Sequence, residues 1–144
     1  IANTSRGEVI ETEALLHALQ DGQVPDAVID VWENEPTINL DLLDRVFIGT
    51  PHIAGYSADG KANATRMSLD ALCRFFHIDA RYRIEPPAPA QPLIEAHNPT
   101  EAYLAMYDPR RDDQALRLHP ERFEQLRGDY PLRREQGAFQ VKYI

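Results

Sequence analysis

The chain has 144 residues, a hydrophobic fraction of 43% and a formal net charge of −8. That is enough apolar side chain for one packed domain or two small ones, and the wrong sign for a nucleic-acid groove, which needs a clustered basic surface. No apolar run approaches the roughly 18 residues of a membrane span, no secretory leader is expected, and the lone Cys73 excludes an intramolecular disulfide, which points to a cytoplasmic protein.

In chain order, Ile1-Ala2-Asn3-Thr4 reads as the end of a strand met midway, as though a longer protein continued before it, and Ser5-Arg6-Gly7 as a turn in which Gly7 supplies backbone freedom. Thr12 precedes a helical pattern with Leu15, Ala18 and Leu19 on one face and Gly22 as its stop. Ala27 to Val31 is the short, continuously apolar pattern of a strand covered on both faces. Asp41-Leu42-Leu43 suggests a short helix and Val46-Phe47-Ile48 a third buried strand. Alternating strands and helices predict an α/β layer with a parallel sheet.

Ser57 is the expected N-cap of a long helix reaching about His77, with Thr65, Leu69, Leu72 and Phe76 forming its apolar face and Cys73 as a small buried hydrophobe. Pro86 to Pro92 holds four prolines in seven residues, a stiff extended connector. The expected division is 1–82, a linker 83–92, and 93–144. The tail shows helical patterns at Thr100–Tyr107 and Pro120–Arg127 and a β-like end at Ala138–Val141. Arg110-Arg111-Asp112-Asp113 and Arg133-Arg134-Glu135 read as mixed-charge runs, either a solvated face or the rim of an interface.

Each predicted strand ends in a polar constellation: Asn3-Thr4-Ser5-Arg6-Gly7, Asp30-Val31-Trp32-Glu33-Asn34-Glu35-Pro36 and Thr50-Pro51-His52-Ile53-Ala54-Gly55-Tyr56. Open α/β sheets bind ligands beyond the carboxyl ends of their strands, so Arg6, Asp30, Glu35 and His52 are expected to converge on one crevice. The set suits chemistry on a 2-hydroxy or 2-oxo acid. The Arg6 fork can hold a carboxylate, His52 can exchange a proton with a hydroxyl near neutral pH, and Glu35 can fix the imidazole tautomer. Asp30, at the strand tip, is better placed for a cofactor. His17, His77, His97 and His119 lack paired ligand spacing, and no metal is predicted.

In that order the motifs NTSRG, DVWENEP and TPHIAGYS resemble the C-terminal half of the NAD-binding domain of the D-2-hydroxyacid dehydrogenases, a Rossmann-type fold. YSADGKANAT, YDPRRDD and RFEQLRGDYPLRRE extend the similarity to one branch of that family over nearly the whole chain. The resemblance implies Arg6 as the catalytic, substrate-carboxylate arginine, His52 as acid/base and Glu35 as its partner. It further implies Asp30 at the nicotinamide carboxamide, Gly55 beside the cofactor and Tyr56 reaching the substrate. NAD is the implied cofactor, a small phosphorylated hydroxy acid the implied substrate, and residues 93–144 a small α+β homodimerisation domain. The alternatives are another member, such as a phosphoglycerate dehydrogenase, and a dinucleotide-sensing regulator without catalysis. No glycine-rich pyrophosphate turn is present, so the chain is expected to be roughly the last two fifths of such an enzyme, inactive by itself.

Overall fold

The three apolar runs that precede the polar motifs pair as a parallel sheet. In the computed structural model, which describes all 144 residues, β1 (Ala2–Asn3), β2 (Val28–Ile29) and β3 (Ile48–Gly49) lie in the order β1-β2-β3, with Ala2 opposite Val28 and Val28 opposite Ile48. The strands are shorter than the apolar runs. The third also begins two residues later than expected, leaving Phe47 64% exposed. Parallel pairing puts all three polar tips at one end of the sheet.

Two helices connect the strands. α1 (Thr12–Gln20) starts where Glu33 Oε2 accepts a hydrogen bond from the Thr12 backbone N–H at 2.7 Å, and closes at Gly22, whose φ of +71° is the left-handed conformation that favours glycine. The Thr12 interaction holds the Glu33 carboxyl below the usual carboxylate range. α2 (Leu40–Arg45) is capped by Asn39, whose side chain accepts from the Leu42 N–H at 2.8 Å. Leu15, Leu16, Ile29, Trp32, Leu42 and Leu43 meet in the core between these helices and the sheet.

The compact units cut the chain elsewhere than at the division expected from composition. Residues 1–54 join 109–130 in one unit, and residues 55–108 join 131–144 in the other. The reason lies in two tail side chains. Leu116 of α5 (Arg110–Leu118) and Phe123 at the start of α6 (Phe123–Gly128) are both 0% exposed and belong to the same core as Leu15 and Leu43. The charged run at 110–113 is therefore the first turn of a helix, with Asp112 and Asp113 near its N-terminus and Arg117 in its last turn, the arrangement that complements the helix dipole.

In the second unit, α3 (Ala58–Phe75) is capped by Ser57 as expected, its hydroxyl oxygen accepting from the Gly60 N–H at 2.9 Å. The expected apolar face is not buried throughout: Leu72 and Phe76 are exposed, while Cys73 beside Leu72 is covered. The proline run lies inside this unit rather than at a boundary. Arg134 makes a two-pronged pair with Asp59 at 2.9 and 3.0 Å and donates to the Pro87 carbonyl, while the Glu135 N–H donates to Asp59 at 2.8 Å. A parallel pair, β4 (Leu93–Ala96) and β5 (Gln140–Tyr143), packs Ile94 and Ala96 against Ala102 of α4 (Pro99–Met106). No helix is long and apolar enough to cross a membrane.

Two measurements check these assignments. Phe123→Ala empties a fully enclosed site and should destabilise the first unit by about 3–5 kcal/mol in chemical denaturation, whereas a solvated tail would lose almost nothing. Arg134 holds the Asp59 carboxyl below the usual range, with the Glu135 N–H acting in the same direction. A folded-state pKa that is depressed contributes stability above the unfolded-state value of about 3.9 and loses it as pH falls through the folded value. Asp59→Asn should therefore lower Tm at pH 7, and the gap to the unsubstituted protein should close in strong acid; a gap independent of pH would refute the pairing.

Candidate active site

The DVWENEP motif places three carboxylates within six residues, and each has a separate task. Glu33 turns back to the first turn of α1, as described above. Glu35 Oε1 accepts from the Trp32 N–H at 2.8 Å, which fixes the carboxylate and leaves Oε2 for His52 Nδ1, also at 2.8 Å. A carboxylate accepts only, so the proton shared with Glu35 sits on Nδ1 and the neutral ring keeps Nε2 as its basic nitrogen. The side chains of His52 and Glu35 are 23% and 18% exposed, so the pair is open on one side.

Asp30 is enclosed. At 2% exposure its Oδ1 accepts from Thr50 Oγ1 at 2.7 Å and from the Ile53 N–H at 2.8 Å, and its Oδ2 accepts from the Ala54 N–H at 3.0 Å. Its backbone carbonyl takes the His52 N–H at 2.8 Å. His52 itself adopts φ +55°, the left-handed region, and is held there by these bonds. Asp30 thus organises the loop that presents the histidine. Its two oxygens together accept three hydrogen bonds.

Sequence reasoning passed over three residues. Trp32 is buried and its Nε1 donates to the Thr50 carbonyl at 2.9 Å, tying the second polar tip to the third. Thr50 is the middle of that tie. Asn3, also buried, donates to the Arg6 carbonyl at 2.9 Å and accepts from the Ser5 N–H and hydroxyl at 3.2 and 2.9 Å, so it shapes the turn that carries Arg6. An Asn at a strand end followed by Ser was a readable signal for such a turn. Gly7 is needed for a different reason than the expected one: a Cβ there would lie 2.1 Å from the Trp32 carbonyl oxygen, so close backbone approach, not φ, excludes a side chain.

The structure joins Glu35 to His52 and Asp30 to the His52 loop. It does not join Arg6 to them: Arg6 shares their end of the sheet, but its guanidinium is exposed and donates to the Ser5 carbonyl at 2.6 Å. Gly55 and Tyr56 belong to the second unit. No atom lies within 4 Å of where a Gly55 Cβ would sit, so the backbone there faces open space. Lys61 Nζ stands 4.1 Å from the centre of the Tyr56 ring, a cation–π contact.

If Asp30 is what holds the loop, Asp30→Ala strands one hydroxyl and two backbone N–H groups. It should cost on the order of 3 kcal/mol or more in denaturant unfolding and shift the amide resonances of residues 50–54 in NMR spectra. Unchanged resonances there would show that the loop is set by something else.

Comparison with known proteins bears on the same segments. Residues 1–54 match the family described as D-isomer specific 2-hydroxyacid dehydrogenase, NAD binding domain, and residues 90–143 match a domain of unknown function (DUF3410). Erythronate-4-phosphate dehydrogenase of Bacteroides fragilis is 70% identical over 141 residues, covering 98% of this chain and 40% of that protein. The protein of the same name from Bacteroides thetaiotaomicron is 67% identical over the same shares, and that from Porphyromonas gingivalis 43% identical over 98% of this chain and 40% of its own length. The chain thus spans about 40% of the length of the curated relatives it matches. Residues 1–54, with the Glu35–His52 pair at the tips of their parallel strands, are thus similar to the NAD-binding domain of the D-isomer specific 2-hydroxyacid dehydrogenases.

Proposed function

We propose that this chain supplies the acid/base side of an NAD-dependent oxidoreductase acting on 4-phospho-D-erythronate, giving the 2-oxo acid on the route to pyridoxal 5′-phosphate. The observation that carries the reading is the 2.8 Å contact between His52 Nδ1 and Glu35 Oε2 on an open face of the unit. The substrate follows from the name shared by the relatives.

When bound, NAD would supply the acceptor for the hydride leaving C2 of the hydroxy acid. The protein's part is to move the hydroxyl proton. His52 Nε2, the ring nitrogen not bonded to Glu35, receives that proton as the C2–O bond gains double-bond character, and returns it in the reverse direction. Glu35 keeps the ring in the receptive tautomer and stabilises the imidazolium that forms. Arg6 has no carboxylate partner in the first unit, and its side chain is free to swing from the Ser5 carbonyl onto the substrate carboxylate through a two-pronged contact. Asp30, at the tip of β2 beside His52, is the residue assigned to the nicotinamide carboxamide. Gly55, with open space beside its backbone, suits a flat ring nearby, and Tyr56 offers a hydroxyl to the substrate. Homodimerisation through residues 93–144 and a cytoplasmic setting complete the reading.

The test is NAD reduction with 4-phospho-D-erythronate by a polypeptide of the relatives' full length containing these 144 residues. His52→Ala should lower kcat/KM roughly 10²–10⁴-fold. Glu35→Gln should lower kcat with little change in KM, because the carboxylate acts on the histidine and not on bound substrate. Turnover that survives His52→Ala would remove the assignment, and binding of NAD without turnover would favour a dinucleotide-sensing role.

A further inference from the structure

β3 is the edge strand of the three-stranded sheet, and its backbone groups alternate in direction. Thr50 N–H points inward, to the Ile29 carbonyl of β2 at 2.9 Å. Gly49 N–H therefore points outward, where an edge strand has no neighbour. Asp113 of α5 meets it: Oδ1 accepts from Gly49 N–H at 2.7 Å, an ionised acceptor in place of a missing strand.

Asp113 is itself held. Arg117, one turn on, contacts both its oxygens from Nε at 3.0 Å each, and the same guanidinium donates to the carbonyls of Leu43 and Val46, the latter at 2.8 Å. Those carbonyls belong to the final residues of α2 and its C-cap, where a helix leaves acceptors unsatisfied. One Asp–Arg pair therefore grips the chain just before β3 and again at the end of β3. Leu116, between the two charged residues and fully enclosed in the core, keeps the grip in place.

From the Asp113, Arg117 and Gly49 geometry we infer that α5, which lies within the matched domain of unknown function, is a positioning element for His52, with Asp113 as the residue through which it acts. The inference rests on the reading of His52 as the acid/base. Gly49 is three residues before His52. On its other side, β3 is packed so closely that a Gly49 Cβ would lie 2.6 Å from Leu43 Cδ1 and 2.9 Å from Trp32 Cζ2. Glu35 is fixed to the segment following β2 through the Trp32 N–H, so the Glu35–His52 distance depends on where β3 sits along β2. Asp113 and Arg117 hold β3 from the outer side, which the sheet leaves open.

The test is a graded series, Asp113→Asn and Asp113→Ala, read in two ways. In the 144-residue chain, ¹⁵N shifts of the His52 ring report its tautomer and its bond to Glu35, whether or not any reaction occurs. They should move slightly in Asp113→Asn, which keeps an oxygen for Gly49 N–H, and strongly in Asp113→Ala, in step with the Gly49 amide proton. In the full-length polypeptide, Asp113→Ala should lower kcat roughly 10-fold or more, since a small misplacement of a catalytic group is costly, with KM for NAD within roughly twofold. The inference is overturned if the Gly49 amide moves while the His52 ring shifts and kcat do not. Unfolding of even the Asn variant would make Asp113 a determinant of the fold alone and would overturn it as well. An unsubstituted enzyme without turnover would refute the proposed reaction but leave the ring-shift test standing.

Discussion

The carboxylate of Asp30 is enclosed almost completely by the first unit, and the loop that follows β3 is laid around it. An ionised group removed from water is tolerated only where hydrogen bonds replace its hydration. Here the replacements are the Thr50 hydroxyl and two successive backbone N–H groups, so the path of residues 50–54 is largely dictated by one side chain on the neighbouring strand. The left-handed backbone at His52 follows from the same constraint. Its N–H is drawn to the Asp30 carbonyl while the next two N–H groups are drawn to the Asp30 carboxylate. Any relaxation of His52 toward an ordinary φ would release one of those bonds within an enclosed space.

That constraint explains how neighbouring carboxylates can have such different surroundings. Asp30 lies under the loop and is satisfied by it. Glu33 faces the first turn of α1, where an unpaired backbone N–H and the helix dipole both favour negative charge. Glu35 stands at the rim, with one oxygen bound to its own motif at Trp32 and the other turned to the imidazole. Fixing one oxygen matters, because a carboxylate free to rotate would hold the histidine in several orientations.

How much of this was legible in the sequence differs from residue to residue. The strand tips and their order could be read, since short apolar runs ending in polar motifs specify a parallel sheet with those motifs at one end. A carboxylate partner for His52 was implied by residue type, and the motif placed it on the glutamate before Pro36. α5 was not legible: Arg110-Arg111-Asp112-Asp113 has the composition of a solvated loop, and only Leu116 on that helix is fully enclosed. A pattern with a single strong apolar position carries no period. The exposed Leu72 and Phe76 show the reverse case, where a clear helical period is present but the residues of the second unit do not cover it. The compact units differ from the expected division for a related reason. Proline marks where a chain is stiff, whereas a compact unit is defined by where large side chains such as Phe123 are buried.

The two arginine–aspartate pairs show why a chain rich in acid keeps certain arginines inside its units. A lone ion pair near the surface contributes little, because hydration is lost and side-chain freedom is given up for a screened attraction. Arg117 and Arg134 do more than pair. Each places two nitrogens on an aspartate and a further nitrogen on a backbone carbonyl, Leu43 in one unit and Pro87 in the other, while each aspartate accepts a backbone N–H, from Gly49 and Glu135 respectively. The planar, multi-donor guanidinium can meet such a set at once, and a lysine ammonium on its flexible stem would satisfy only part of it. What these pairs stabilise is therefore chiefly the course of the backbone: in one unit the strand that leads to His52, in the other the first turn of α3, which begins directly after Tyr56 and Ser57.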